Sequence, residues 1–229
     1  MSPLSQGIGS LNESTLHAAI KEWYAQPQDR FEVSVDGSII DLIRGTQLIE
    51  IQTSNFAALR KKLTKLIDRH PVRVIYPLAR FKWIVRTSGK GDTLGKRKSS
   101  KIGKLIDIFE ELIRIPDLIK HPNFALEILV VDIEEVRTAD GKGSRWRKGV
   151  SIKDRRLVQV VESHELKRVQ DYLRFLPDGL ESPFTNKTLA DALGIQVFEA
   201  SRITYTMRRM GLLEITGKYR NELLYVVNI

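Results

Sequence analysis

Phe31-Glu32-Val33-Ser34-Val35-Asp36-Gly37-Ser38-Ile39-Ile40-Asp41-Leu42-Ile43-Arg44-Gly45-Thr46-Gln47-Leu48-Ile49-Glu50-Ile51-Gln52 is the stretch that decides the fold class. Phe31, Val33 and Val35 alternate with polar residues, Asp36-Gly37 interrupts them, and Ile39, Ile40, Leu42 and Ile43 resume the apolar run. Strand, Asp-Gly turn, strand is a hairpin signal, because a tight turn between antiparallel strands needs positive φ at both central residues. Gly45-Thr46 punctuates again, and Gln47–Gln52 reads as a third strand through Leu48, Ile49 and Ile51.

Outward from this stretch, Asn12 to Trp23 reads as a helix that Asn12 caps, with Leu16, Ile20 and Trp23 on one face. Downstream, Phe56 to Arg69 is a basic amphipathic helix with Leu59, Leu63, Leu66 and Ile67 inward, and Val72–Tyr76 is a short apolar strand after Pro71. Helix, three strands, helix, strand predicts an α/β core in which the last strand is a crossover partner. From Phe81 to Lys104 the chain is strongly basic and holds Gly89, Gly91 and Gly95, which reads as a mobile loop. A helix over about Ile102–Ile113, a buried strand Phe124–Val131, a Gly/Lys/Arg loop Asp140–Gly149, an extended Ser151–Val161 and a helical Glu165–Leu176 follow. Pro, Asp, Gly and Ser cluster near Pro177–Pro183, so the expected domains are residues 10–176 and 183–229.

Beyond that boundary, Thr185 can cap a helix whose Leu189, Ala192 and Leu193 face inward and which Gly194 ends in the left-handed conformation. A second helix over about Val197–Met210 places Phe198, Ile203 and Met207 inward and lets Arg202, Thr204, Arg208 and Arg209 face outward. Gly211 stops it, and Leu212–Thr216 and Glu222–Val227 read as strands around the basic tip Gly217-Lys218-Tyr219-Arg220-Asn221. This order resembles a winged helix-turn-helix, which implies the second helix in a DNA major groove. Ser201, Arg202, Tyr205 and Arg209 would then approach bases or phosphates, with Lys218 and Arg220 on the backbone. Winged helices also serve protein contacts, and that alternative stays open.

The net charge of +9 favours a polyanionic partner, since basic groups on phosphates release condensed counterions. Lys96, Arg97, Lys98, Lys101, Arg145 and Arg147 are the candidate backbone contacts in the two basic segments. Trp23, Trp83 and Trp146 read as packing residues; Arg145-Trp146-Arg147-Lys148 reads first as a solvated basic loop, with base stacking by Trp146 as the alternative. With no cysteine, disulfides, thiolate metal sites and thiol nucleophiles are excluded. No apolar run is long enough to span a bilayer and the N-terminus lacks a secretory pattern, so the expectation is a cytoplasmic protein with no membrane partner. The four histidines show no metal-binding spacing, and no dinucleotide or phosphate-loop motif is present.

Metal-assisted phosphodiester hydrolysis needs oxygen ligands converging at one sheet edge with a cation or polar group beside them. Asp41 and Glu50 on adjacent strands can sit side by side, Gln52 shares a face with Glu50, and Glu13 could add a ligand from the first helix. Charge on a strand can also serve solubility alone. The arrangement Glu13, Asp41, Glu50-Ile51-Gln52 and a crossover helix bearing Lys61 and Lys62 resembles the PD-(D/E)XK superfamily of restriction endonuclease-like nucleases over roughly residues 10 to 78. The segment from Arg97-Lys98-Ser99 through His121-Pro122-Asn123-Phe124 resembles a block in bacterial proteins that join such a core to a winged helix. Ile40 stands where Pro is usual and Gln52 where Lys is usual, so Lys61 or Lys62 would have to supply the cation.

The resemblance implies a restriction endonuclease-like mixed-sheet α/β core with flanking helices, plus a winged-helix domain. It implies a DNA partner, Mg²⁺ or Mn²⁺ as cofactor on Glu13, Asp41 and Glu50, and catalysis by Asp41, Glu50, Gln52, Lys61 and Lys62. Cleavage of both strands would call for a homodimer. The alternative expectation is a regulator that keeps the nuclease fold and binds DNA without cutting it.

Overall fold

Asp36 (φ 48°) and Gly37 (φ 73°) both take left-handed backbone, the geometry the Asp-Gly turn demands. They join β1 (Arg30–Val35) to β2 (Ser38–Arg44), and β3 (Gln47–Ile51) continues the antiparallel ladder with Leu42 opposite Ile49. The computed structural model describes residues 14–228, a mixed α/β protein. Helix α1 (Thr15–Tyr24) precedes β1 and is capped by Ser14, whose hydroxyl accepts from His17 N–H at 3.3 Å. Asn12, the expected cap, lies outside the described residues. Leu16 and Ile20 are buried as expected, whereas Trp23 is exposed.

Helix α2 (Phe56–Leu66) follows β3, with Phe56, Leu59, Leu63 and Leu66 buried at helical spacing. Its first turn is closed from outside: the Glu111 carboxylate accepts from Asn55 N–H at 3.0 Å and Phe56 N–H at 2.8 Å. Strand β4 (Val72–Thr87) then pairs parallel to β3, Leu48 against Val72, which is the expected crossover.

The mobile loop expected over Phe81–Lys104 is instead extended chain. β4 continues to Thr87 and pairs antiparallel with β5 (Thr93–Lys98), Trp83 facing Lys98 and Val85 facing Lys96. The glycines serve the turn between them, where Gly91 takes φ 97° and Ser88 N–H reaches Asp92 O at 2.9 Å. The helix expected over Ile102–Ile113 shrinks to a 3₁₀ turn, Leu105–Ile108, and the short α3 (Phe109–Leu112). Two long strands follow, β6 (Phe124–Ala139) and β7 (Val150–Leu166), both longer than expected. A 3₁₀ segment, Val169–Phe175, stands where a helix was expected over Glu165–Leu176. The large sheet has the order β1-β2-β3-β4-β6-β7, with β5 attached to β4.

At the C-terminus, α4 (Asn186–Leu193) is capped by Thr185, which accepts from Lys187 and Thr188 N–H at 3.2 Å, and Gly194 ends it at φ 61°. Helix α5 (Val197–Arg209), Gly211 at φ 82° and the hairpin β8 (Leu213–Tyr219) with β9 (Glu222–Val227) complete the chain.

Two compact units emerge from the packing. Among the described residues the first comprises 14–26, 79–103 and 130–162; the second comprises 27–78, 104–129 and 163–228. Residues 183–228 share the second unit with α2 and the first three strands. In the second unit one hydrophobic core runs from Ile40, Leu63 and Val74 through Phe109 and Phe175 to Leu189, Ile203 and Met207. Among the described residues of the first unit, Leu16, Ile20, Ile84, Val131, Ile133 and Val136 are buried. Among the described residues no helix is long and apolar enough to cross a membrane.

Candidate nucleic-acid interface and the acidic pair

The Asp41 and Glu50 side chains reach different partners. The β2–β3 ladder pairs Arg44 with Gln47, Ile43 with Leu48 and Leu42 with Ile49, and beyond it Asp41 Oδ2 accepts from Ile51 N–H at 2.8 Å. The carboxylate thus takes the place of a backbone acceptor where the ladder stops. Glu50 is only 4% exposed, and Lys62 Nζ lies 2.5 Å from its Oε1. Lys62 also donates to Ile39 O. Gln52 follows the end of β3; its N–H bonds Ile75 O at 2.9 Å and its side-chain amide turns onto Ser54 O. Lys61 joins Lys62, Lys65, Ser38, Ile39 and Ala58 around a shallow basic depression.

Of the residues expected to act together, the structure therefore brings Lys62 to Glu50 and leaves Gln52 on its own loop. Glu13 lies outside the described residues. Among the described residues no three His, Asp or Glu side chains converge to hold a metal ion. Asp41 is bonded to an amide, and Glu50 lies against an ammonium.

The first unit holds the chain's excess positive charge. In sequence, residues 1–26, 79–103 and 130–162 carry 17 Lys and Arg against 9 Asp and Glu, a net +8, whereas the rest of the chain carries 20 against 19, a net +1. The first unit's buried acids are matched by cations. Arg80 makes a two-pronged contact with Asp132, Nε to Oδ1 at 3.1 Å and Nη2 to Oδ2 at 2.8 Å, and Gln159 adds a third bond at 2.7 Å. Burial alone would raise the Asp132 carboxyl; Arg80 and Gln159 outweigh it and hold it below the usual carboxylate range. Glu135 follows the same balance, with Arg137 and Arg155 against its burial. Burial pushes the Lys82 ammonium down, with Glu135 opposing.

On β4 and β5, alternation places aromatic rings beside lysines. Lys98 Nζ sits 3.5 Å from the Phe81 ring centre and 5.9 Å from that of Trp83, and Lys96 Nζ is also 5.9 Å from Trp83. Lys96 additionally pairs with Glu134 at 2.5 Å. Arg97 and Lys101 are exposed. Sequence reading missed this array; the signal was the i, i+2 spacing of Phe81-Trp83 and of Lys96-Lys98, which is strand periodicity.

In the segment between β6 and β7, Arg145, Trp146 and Arg147 form a 3₁₀ turn, and Trp146 is 97% exposed, so it is not a packing residue. Arg147 Nε folds back to Val150 O at 3.2 Å.

The C-terminal helix corrects several expectations. Thr204, expected outward, is buried and donates to Asn186 Oδ1 at 2.7 Å, while Phe198, expected inward, is 57% exposed. Arg209 bonds both Asp117 oxygens, at 2.9 and 2.7 Å, and Arg202 lies 3.3 Å from Glu110, so both are matched by acids of the same compact unit. The outward stripe of α5 is Phe198, Ser201, Tyr205 and Arg208, of which Ser201 is half-buried. Lys218 and Arg220 are exposed at the hairpin tip, with Arg220 5.4 Å from the Tyr219 ring.

No solved structure matches the chain. A protein of Treponema pallidum (strain Nichols), described as an uncharacterized protein, is 34% identical over 177 residues, covering 75% of this chain and 70% of the relative. A family model described as a domain of unknown function (DUF8091) matches residues 14–167, from the Ser14 cap of α1 to just past the end of β7. Since the match takes in all seven strands of the large sheet and most of the chain, the protein belongs to the DUF8091 family.

Proposed function

We propose that this protein binds DNA through a restriction endonuclease-like core and a C-terminal winged helix-turn-helix, and that its acidic pair serves the fold rather than cleavage. The observation that carries the reading is the separation of charge: a net +8 lies in the unit that holds the β4–β5 hairpin and the β6–β7 loop. Such a concentration of cations gives phosphate affinity by counterion release. The α5 stripe Ser201, Tyr205 and Arg208, with Lys218 and Arg220, adds a second contact. Arg202 and Arg209 contribute less, being matched by Glu110 and Asp117.

A second reading, a metal-dependent endodeoxyribonuclease, is favoured by one observation. Lys62 brings to Glu50 the cation that Gln52 lacks. Incubation of supercoiled plasmid with the protein and its Glu50→Ala variant, in Mg²⁺, Mn²⁺ or EDTA, separates the two. Duplex binding without nicking is the expected result. Metal-dependent nicking that disappears in Glu50→Ala would replace the binding reading with the nuclease one.

A further inference from the structure

We infer that the β6–β7 loop is a base-stacking device for unpaired nucleic acid, with Trp146 as its platform; this rests on the DNA-binding reading and names the form of strand the basic unit takes.

Residues 140–149 contain one large apolar side chain, Trp146, and it is 97% exposed. The turn beneath it is braced. Asp140 accepts from Lys142 N–H at 3.0 Å, Ser151 Oγ at 2.8 Å and Lys153 Nζ at 2.6 Å. Gly143 N–H bonds Gly149 O at 3.1 Å, and a Cβ at Gly143 would run into the Val150 backbone. Lys148 takes φ 50° and Gly149 φ 79°, returning the chain to β7. The loop base is thus closed by bonds and by a glycine that nothing larger could replace without moving Val150. A platform held in its binding conformation gives up less conformational entropy when it is occupied.

The same ten-residue loop carries Lys142, Arg145, Arg147 and Lys148, all exposed. A ring flanked by cations is the pairing that single-strand binding uses: the ring takes a base face and the cations take its phosphates. Duplex DNA offers no such face, because each base is already covered by its neighbours. A membrane surface is the other partner for an exposed tryptophan and cations. Interfacial binding scales with apolar area buried, and one indole among four cations offers little. The same compact unit supplies a second aromatic–cation array, Phe81 and Trp83 with Lys96 and Lys98. DNA and RNA strands share the chemistry recognised, so both belong in the test.

The experiment is fluorescence anisotropy with labelled oligothymidylate, oligouridylate and a mixed-sequence duplex of equal length, using the full chain and its Trp146→Ala and Trp146→Tyr variants. Trp146→Ala should weaken both single strands by about tenfold and the duplex by less than about twofold. Trp146→Tyr should keep most of the affinity, and a preference for either sugar would assign the strand. Equal losses on duplex and single strand, no loss on either, or a Tyr variant as weak as the Ala variant would overturn the inference while duplex binding still stood. Failure of the wild type to bind any nucleic acid would overturn it together with the DNA-binding reading. So would association with phosphatidylglycerol vesicles that Trp146→Ala abolishes while strand binding is unchanged, for the inference alone.

Discussion

Lys62 Nζ on α2 lies 2.5 Å from Glu50 Oε1 on β3, a cross-element ion pair whose acid is buried and whose base reaches it from the solvent side. Removing the ammonium leaves a buried carboxylate without this counter-charge, which costs about 2 kcal/mol. Lys62→Met should therefore lower the free energy of unfolding in urea by about that amount. Adding Glu50→Gln should recover part of it, because an amide is cheaper to bury than an uncompensated charge. Stability equal to wild type in the single variant would show that Glu50 is neutralised by another group.

How legible this was depends on which signal each residue carries. The β1–β2 turn was legible because Asp36 and Gly37 are a pair few other backbone geometries use, and α2 because its buried leucines repeat at helical spacing. Thr185 and Gly194 marked α4 for the same kind of local reason. Strand β5 was not legible, since Lys96, Arg97 and Lys98 carry no apolar periodicity and the segment is extended through its ladder to β4. Propensity yields there to pairing supplied by a distant element. The acidic pair was legible as two acids on neighbouring strands. That Asp41 caps a ladder end and Glu50 meets Lys62 depends on side-chain direction, which sequence spacing does not encode.

Asp132 supplies a test in pH. Its folded pKa is depressed, so it contributes stability above its unfolded value, about 3.9, and that stability is lost as pH falls through the lower folded value. Glu135 acts in the same direction. Thermal unfolding followed on acidification should show stability falling below about pH 4. In Asp132→Asn the protein should start less stable at neutral pH and lose less on acidification. A variant with the wild-type acid profile would show that Asp132 is not a source of the dependence.

Asp117 holds Arg209 at 2.7 Å on the exposed side of α5, and the bond keeps the Asp117 carboxyl below its usual range. If α5 approaches DNA, that acid both repels phosphate and occupies a cation. Asp117→Asn should raise duplex affinity by about two- to fivefold in low salt, at little cost in stability, since exposed pairs contribute about 1 kcal/mol or less. Unchanged affinity, measured by anisotropy, would remove α5 from the contact surface.

The separation of charge between the two units makes the last prediction. Each phosphate neutralised adds about 0.9 to the slope of log affinity against log salt on duplex DNA. Substituting Arg97, Lys101 and Arg145 together by Ala removes three exposed cations of the first unit, so the slope should shrink by about 2 to 3. The pair Lys218→Ala and Arg220→Ala, at the hairpin tip of the second unit, should shrink it by at most about 2. If the hairpin substitutions abolish salt dependence and the first-unit set leaves it intact, the polyanion lies on the nearly neutral unit, and the assignment of phosphate contact to the β4–β5 hairpin and the β6–β7 loop is wrong.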